Sequence, residues 1–234
     1  MIDVMNDIQF NTKHYLKVLE QDPNHRYRSW EHCYNFFKNE ELFRGNVETG
    51  RLACLNLGFY LASRGMYSGL NGLLWKDYTV YSKIVDILMN PAYSNLWGVG
   101  ITQLEHNHSL IDQIFELNDK ITKTISSITY QKQADGEKDQ INPTDALVTK
   151  IMFATMGCVP SYDTRFKKGC SEAEVPISNT FDKASYHSII EFYGENKTVF
   201  QHASFQISNN RGMEYPDMKV IDLYFRNHAV GRDQ

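Results

Sequence analysis

NPTDALVTKIMFATMGCVPSYDTRFKKG, residues 142–169, is the stretch from which both the fold and a candidate site are predicted. Asn142 is a favourable helix N-cap, and Pro143 has the fixed backbone angle of a first helical residue. Apolar residues then recur at helical spacing until Gly157, which supplies a left-handed stop. We therefore expect a helix that begins at Pro143 and runs, through Gly157, into an apolar turn that presents Asp163.

Asp163 is an isolated carboxylate in this turn, and two interpretations of it are open. An Asp-Thr pair after a Pro turn commonly caps the next helix, so Asp163 can be purely structural. Three basic residues follow closely, Arg165, Lys167 and Lys168, and they can hold a phosphate backbone beside the carboxylate. The pattern itself does not choose between a cap and a functional group.

The same segment resembles the reaction centre of the helix-hairpin-helix DNA glycosylases, where an apolar turn of the type V-P-x-D leads to a catalytic Asp. The matching letters are VPSYDT, residues 159–164, with one residue more between Pro and Asp than in the closest family pattern. The resemblance implies a mostly α-helical, two-lobed fold that flips a damaged or modified base out of double-stranded DNA and cleaves its N-glycosidic bond. Asp163 would be the catalytic carboxylate, which stabilises the positive charge that develops on the sugar, and no cofactor or metal is implied.

Lys150 is the second residue that the resemblance marks, because some members carry a nucleophilic Lys in a V-G-T-K setting similar to VTK, residues 148–150. Thirteen positions separate Lys150 from Asp163, fewer than in the family. We therefore expect the amine to lie out of reach of the reacting sugar and the enzyme to be a monofunctional hydrolase. The family's hairpin loop is rich in Gly, whereas residues 139–145 contain none, so Thr144 and exposed helix amides are the expected DNA contacts of this loop.

Basic and aromatic residues near two further helix ends complete the candidate DNA surface. The segment HRYRSWEH, residues 25–32, contributes Arg26 and Arg28, and the segment SRGMYSG, residues 63–69, contributes Arg64. Aromatic side chains stack on bases with little sequence preference, at roughly 1–3 kcal/mol per base. The candidates for the base pocket are Tyr162, Trp30 and Tyr67. Trp30 has an alternative as part of a buried helix stripe with Tyr34 and Phe37.

Helical periodicity dominates the rest of the chain of 234 residues, which we expect to be a single globular unit, 1–234. The predicted elements are an apolar stripe of Leu52, Leu55, Phe59 and Leu61 that ends near Gly65, a stripe of Tyr81, Ile84, Val85 and Leu88, a long helix over 101–128, and helices over 181–192 and 217–227. Residues 197–207 fit either a strand or a helix. The segment QKQADGEKDQ, residues 131–140, is expected to be an exposed linker that can join two helical lobes.

The composition limits the class of protein. The net charge of −4 argues against a broad basic face, so DNA binding would depend on local clusters. The start of the chain has no basic segment followed by an apolar one, and no apolar run approaches the ~18 residues of a membrane span, so we expect a cytoplasmic protein.

Four cysteines without a C-x-x-C pair are expected to be reduced core thiols, and the letters HNH at 106–108 are expected to bind no metal. Asp222 is expected on a solvated face or as a cap.

Two other classes of function are open beside the glycosylase. The chain can be a non-enzymatic helical module that binds protein partners in a defence or toxin–antitoxin system, with Asp163 as a cap only. A metal-dependent nuclease is disfavoured, because no D…[DE]-x-K strand motif is present. The resemblance also suggests defence against phages with modified bases as the setting of a glycosylase.

Overall fold

Helices dominate the computed structural model, which describes residues 4–39, 47–67, 72–134 and 136–228. The α-helices are, in chain order, α1 (Val4–Gln21), α2 (Arg28–Lys38), α3 (Val47–Ser63), α4 (Ser82–Leu88), α5 (Ile101–His106), α6 (His108–Ser126), α7 (Asp145–Thr155), α8 (Thr164–Glu172), α9 (Lys183–Glu195), α10 (Lys197–Arg211) and α11 (Asp217–His228). Short 3-10 helices span Leu73–Trp75, Tyr78–Tyr81 and Pro91–Leu96, and the strands β1 (Thr129–Tyr130) and β2 (Asp139–Gln140) form an antiparallel hairpin. The predicted mostly α-helical class is confirmed. Among the described residues, no helix combines the length and the apolar character needed to cross a membrane.

Aromatic side chains form the centre of the core. Trp30 on α2 is fully buried, stacks on Tyr34 with ring centroids 4.8 Å apart, and donates a hydrogen bond from Nε1 to the carbonyl oxygen of Phe153 at 3.1 Å. The predicted buried stripe of Trp30, Tyr34 and Phe37 is confirmed. Trp30 is therefore not placed where a flipped base could stack on it, because its ring and its polar atom are both engaged inside the protein. The four cysteines are buried free thiols, as predicted.

Helix α3 turns a different face to the core from the one predicted. Leu52, Leu55 and Phe59 are exposed, Phe59 by 69%, and of the predicted stripe only Leu61 is buried. The residues that α3 buries instead are Ala53, Cys54, Leu57 and Tyr60. Both sides of this helix are apolar, so periodicity alone cannot tell them apart.

Two of the other predicted elements differ in detail from the structure. The helix predicted over 101–128 is interrupted at Asn107, whose side chain accepts a hydrogen bond from the amide of Ser109 at 3.1 Å and so caps α6. Residues 197–207, which fit either class from sequence, are helical within α10. The predicted stripe at Tyr81, Ile84, Val85 and Leu88 is buried, and helices are present near 181–192 and 217–227.

The segment predicted as a linker, 131–140, joins α6 to α7 at the tip of the hairpin. Its described residues are mostly exposed, as expected. Strand pairing aligns Tyr130 with Asp139, and the Tyr130 hydroxyl donates to the Asp139 carboxylate at 2.8 Å. The division of the chain into two lobes stays a prediction.

Helices α8 and α11 pack closely enough to fix the position of the site. Gly169 lies at their crossing, where an added Cβ would collide with the carbonyl oxygen of Phe225. Because α11 passes directly beside α8, Arg226 of α11 reaches the residue that precedes α8, Asp163, and Asp222 reaches the adjoining turn at Ser161.

Candidate functional site

Helix α7 begins two residues later than predicted. Thr144, not Asn142, is its N-cap, and the Thr144 hydroxyl accepts a hydrogen bond from the amide of Leu147 at 3.2 Å. Asp145 follows as the first helical residue and accepts the amide of Phe181 at 2.8 Å, which anchors the helix start to the loop before α9. The predicted end is confirmed, since Gly157 has φ +67° and closes the helix.

The turn between α7 and α8 is held by hydrogen bonds to α7 and to α11. The amide of Tyr162 donates to the Thr149 hydroxyl at 2.9 Å, and the amide of Ser161 donates to the Asp222 carboxylate at 3.1 Å. The Tyr162 ring is buried, and its hydroxyl donates to the carbonyl oxygen of Ser178 at 2.6 Å. Tyr162 thus anchors the turn in the core and, like Trp30, is not placed to stack on a base.

The two carboxylate oxygens of Asp163 have different partners. Its Oδ1 accepts the amide of Phe166 at 3.1 Å, so the interpretation of Asp163 as the N-cap of α8 is confirmed. Its Oδ2 lies 2.6 Å from Nη2 of Arg226 and 3.0 Å from Nζ of Lys150. One carboxylate therefore caps a helix with one oxygen and pairs with two cations through the other.

Ion pairing and burial determine the pKa values of Asp163 and Lys150. Burial alone would raise the pKa of Asp163, but Arg226 and Lys150 outweigh burial and lower this pKa to about 2. Burial lowers the pKa of Lys150 below its ordinary value, and the Asp163 carboxylate opposes that shift. Asp163 is consequently anionic throughout the physiological range.

Lys150 was expected to lie out of reach of the reacting sugar, which stays a prediction, but its amine lies 3.0 Å from the Asp163 carboxylate in spite of the short spacing. The chain reverses direction between the end of α7 and the start of α8, which brings the middle of α7 beside the first turn of α8. A count of thirteen positions cannot register this reversal, because it depends on how the turn at 157–163 folds back.

An open pocket of about 360 Å³ lies over this cluster. The residues that line it, which we call the cationic pocket, are Arg26, Arg64, Gly65, Lys150, Asp163, Thr164, Arg165 and Arg226. Five residues marked from sequence thus meet at one place, although they come from three separate segments of the chain. Five of the side chains are cationic and one is a carboxylate, so the pocket favours an anionic ligand.

Arg226, which the sequence did not single out, and Asp222, which was expected on a solvated face or as a cap, complete the ion-pair cluster at Asp163. Arg226 donates from Nε to Asp222 at 2.9 Å and from Nη2 to the Ser161 hydroxyl at 2.9 Å, in addition to its contact with Asp163. Asp222 is only 1% exposed, so it does not lie on a solvated face. The i,i+4 spacing of Asp222 and Arg226 indicates an ion pair on one helix, but the same spacing is typical of exposed ion pairs and does not indicate a buried site.

The other candidate residues do not line the cationic pocket. Lys167 donates to the carbonyl oxygen of Asn179 at 2.9 Å, and Lys168 pairs with Glu172 at 3.6 Å along α8. The remaining contacts are those of Arg28 with the carbonyl oxygen of Pro23 at 2.9 Å, of Tyr67 with the Tyr81 hydroxyl at 2.8 Å, and of Thr144 with Leu147 in the cap described above. Ser68 and Gly69, which follow Tyr67, lie outside the described residues.

Lys219 is a buried amine behind the cationic pocket. Its Nζ lies 4.8 Å from the ring centroid of Trp30 and 5.5 Å from that of Tyr15, and the residue is only 3% exposed. Burial is the largest cause that lowers the pKa of Lys219, Arg64 and Arg226 add to it, and Asp222 and Glu31 oppose it, with a resulting pKa of about 7. An amine at this position is costly to keep charged.

Replacing Lys219 by Met is expected to stabilise the protein. The folded-state pKa is below the unfolded one, so the native state loses stability as pH falls through the range from ~10.5 to about 7, and the full cost is present below that. The gain should be roughly 1–4 kcal/mol at pH 6 and smaller at pH 10, since Met keeps the contacts with the rings. Urea unfolding at both pH values measures it, with Lys13→Met on the exposed side of α1 as control. A loss of stability at pH 6 would mean that Glu31 and Asp222 need the ammonium group.

Comparison with known proteins gives no relative from which the site could be inferred. Family models, curated proteins and solved structures alike contain no match to this chain. Among the described residues, no group of three or more His, Cys, Asp or Glu side chains is arranged to hold a metal ion.

Proposed function

We propose that this protein is a DNA glycosylase of the helix-hairpin-helix type, with Asp163 as the reacting carboxylate. The observation that supports this most strongly is the contact of 3.0 Å between Asp163 and Lys150 in a cationic pocket. These are the two residues that the short resemblance marks. The proposed partner is double-stranded DNA with an extruded base, in the cytoplasm, and the proposed setting is defence against phages with modified bases.

The low pKa of Asp163 supports an electrostatic role rather than proton transfer. A general base works best when its pKa is near the operating pH, and a carboxylate with a pKa of about 2 is a poor proton acceptor at neutral pH. A fixed negative charge near C1′ stabilises the positive charge that develops as the glycosidic bond breaks. Arg226 and Lys150 hold that carboxylate in place, so we assign them as positioning residues.

The reaction is tested by base excision in the presence of a chelator. Duplexes that contain normal or modified bases are incubated with the protein and EDTA, and each sample is divided before treatment with hot alkali. The proposal expects strand breaks only after alkali, because excision leaves an abasic site that alkali cleaves. Intact strands across a panel of modified bases, or breaks that require an added metal ion, would contradict it and favour the helical interaction module or the nuclease, respectively.

We expect Lys150 to remain a cation, so the enzyme should leave its abasic sites intact. Burial lowers the pKa of Lys150, but the Asp163 carboxylate at 3.0 Å opposes this shift, and only a neutral amine can attack C1′ to form a Schiff base. Borohydride should therefore trap little or no covalent protein–DNA adduct at pH 7. The outcome that overturns this expectation is an adduct that increases between pH 7 and pH 9 and disappears in Lys150→Ala.

DNA binding is expected to depend on the arginines of the cationic pocket more than on the lysines of α8. Each lost phosphate contact lowers the slope of log K against log salt by roughly one unit. Arg64→Gln with Arg165→Gln should weaken binding to all sequences and lower the slope by about two units. Lys167→Ala with Lys168→Ala removes the same charge outside the pocket and should change the slope less. The reverse ranking in a salt titration would place the DNA along the outer side of α8.

A further inference from the structure

The cationic pocket has more positive charge than its own residues balance. Arg26, Arg64 and Arg165 all line it, and none of the three forms a salt bridge with a carboxylate within the described part of the chain. The Arg64 guanidinium instead lies over the rings of Tyr27 and Tyr60, at 6.0 and 5.7 Å from their centroids. These three guanidinium groups are available to an external anion.

The acidic side chain in the pocket is already paired with two cations. Asp163 directs Oδ2 to Lys150 and Arg226, and Asp222, which lies behind the pocket, pairs with Arg226. Five cationic side chains against one carboxylate give an excess of four positive charges at the wall, or three when Asp222 is included. A ligand with a single negative charge would leave most of this excess uncompensated.

The lining of the cationic pocket favours phosphate groups over an uncharged ligand. It contains no aromatic ring, so a base extruded beside Asp163 would not be held there by aromatic stacking. Planar guanidinium groups instead match the oxygens of a phosphate and bind them through two parallel hydrogen bonds. The pocket lies at the first turn of α8, a helix of nine residues, and the positive end of the helix dipole adds to the attraction for an anion.

We propose that the cationic pocket binds a phosphate monoester in its dianionic form, as found on a nucleoside 5′-monophosphate or a 5′-phosphorylated DNA end. Such a group carries about 1.5 to 2 negative charges at pH 7, whereas a backbone phosphodiester carries one. Arg26, Arg64 and Arg165 bind the phosphate oxygens, and Lys150 and Arg226 add to the positive field beside Asp163. The site stands independently of base excision, and a bound monophosphate would compete with backbone phosphates for the same arginines.

Isothermal titration with three matched ligands tests the charge requirement. The ligands are a deoxynucleoside 5′-monophosphate, its methyl ester with one negative charge, and the nucleoside. The monophosphate should bind, the methyl ester at least tenfold more weakly, and the nucleoside not measurably. Equal binding of the monophosphate and its methyl ester, or no binding of the monophosphate, would overturn the proposal.

Substitutions locate the site. Arg64→Gln and Arg165→Gln should each weaken monophosphate binding at least tenfold, while Arg51→Gln, an exposed arginine on α3, should not. Thermal unfolding confirms that each variant is folded, and Arg165 is exposed, so its replacement does not disturb the core. Unchanged affinity in both pocket variants would place binding elsewhere and contradict the proposal.

A further pair of ligands separates the two sources of the group. A duplex with a 5′-phosphate and the same duplex with a 5′-hydroxyl differ only at the strand end. A preference for the phosphorylated duplex that is lost in Arg165→Gln assigns the pocket to DNA ends, and binding of the free monophosphate without that preference assigns it to nucleotides. Excision activity is measured separately, so its absence would remove the glycosylase and leave the phosphate site intact.

Discussion

Replacing Asp163 by Asn is expected to lower base excision at least a hundredfold while DNA binding stays nearly unchanged. The substitution keeps the size of the side chain and removes the charge that stabilises the transition state, an effect of roughly 3 kcal/mol or more. Asn is as good an N-cap as Asp, so its oxygen can still accept the amide of Phe166. Single-turnover excision with enzyme in excess over DNA measures the chemical step.

The loss of charge at Asp163 also leaves Lys150 without its carboxylate, and this must be separated from the chemistry. Arg226 keeps Asp222 as a partner, but Lys150 is nearly buried and would face Arg226 uncompensated. A double variant, Asp163→Asn with Lys150→Met, removes both charges and restores the balance. The assignment of Asp163 is wrong if the single variant excises at the wild-type rate. If the double variant is stable and recovers excision, the single variant had failed through misfolding, and Asp163 is a cap only.

Gly169→Ala is expected to be the most destabilising single methyl addition in the described chain. A Cβ at this position meets the backbone carbonyl of Phe225, which cannot rotate away as a side chain would. Overpacking usually costs about 1–3 kcal/mol, and a backbone collision should exceed that range, because α8 and α11 must separate along their contact. Urea unfolding gives the free energy directly.

Gly50→Ala is the matched control for this prediction. Gly50 lies in α3, where an added Cβ has no atom within 4 Å, so the same chemical change should stabilise the protein by roughly 0.5–1 kcal/mol. Similar free energies of unfolding for the two variants would mean that α8 and α11 can shift apart without loss. The contact between Asp163 and Arg226 would then not depend on the crossing at Gly169.

Local features of the site could be predicted from the sequence because they depend on neighbouring residues. The left-handed stop at Gly157 and the cap at Asp163 follow from residue chemistry within one turn of the chain. Four of the five predicted pocket residues could be named for the same reason, since each is a charged group near a helix end: Arg26, Arg64, Asp163 and Arg165. Lys150, in the middle of α7, was marked only by the resemblance.

Other features depend on tertiary packing and could not be predicted. Arg226 lies 63 positions from Asp163, and only the crossing of α11 with α8 brings them together. The sequence does not show whether an aromatic residue near a candidate site, such as Trp30 or Tyr162, stacks on a ligand or fills the core. Lys219 has no sequence signal at all, because a lysine between apolar residues on a helix is normally expected to extend into solvent.

The two oxygens of Asp163 have different partners, and this makes the Phe166 amide a spectroscopic probe of the pocket. The amide proton of Phe166 is bonded to the same carboxylate that pairs with Lys150 and Arg226, so a ligand that draws either cation away also changes the strength of this bond. Hydrogen exchange and the chemical shift of the Phe166 amide are thus expected to respond to binding in the pocket, although the Phe166 side chain is buried and is not part of the pocket lining. Occupancy becomes measurable before any substrate is known.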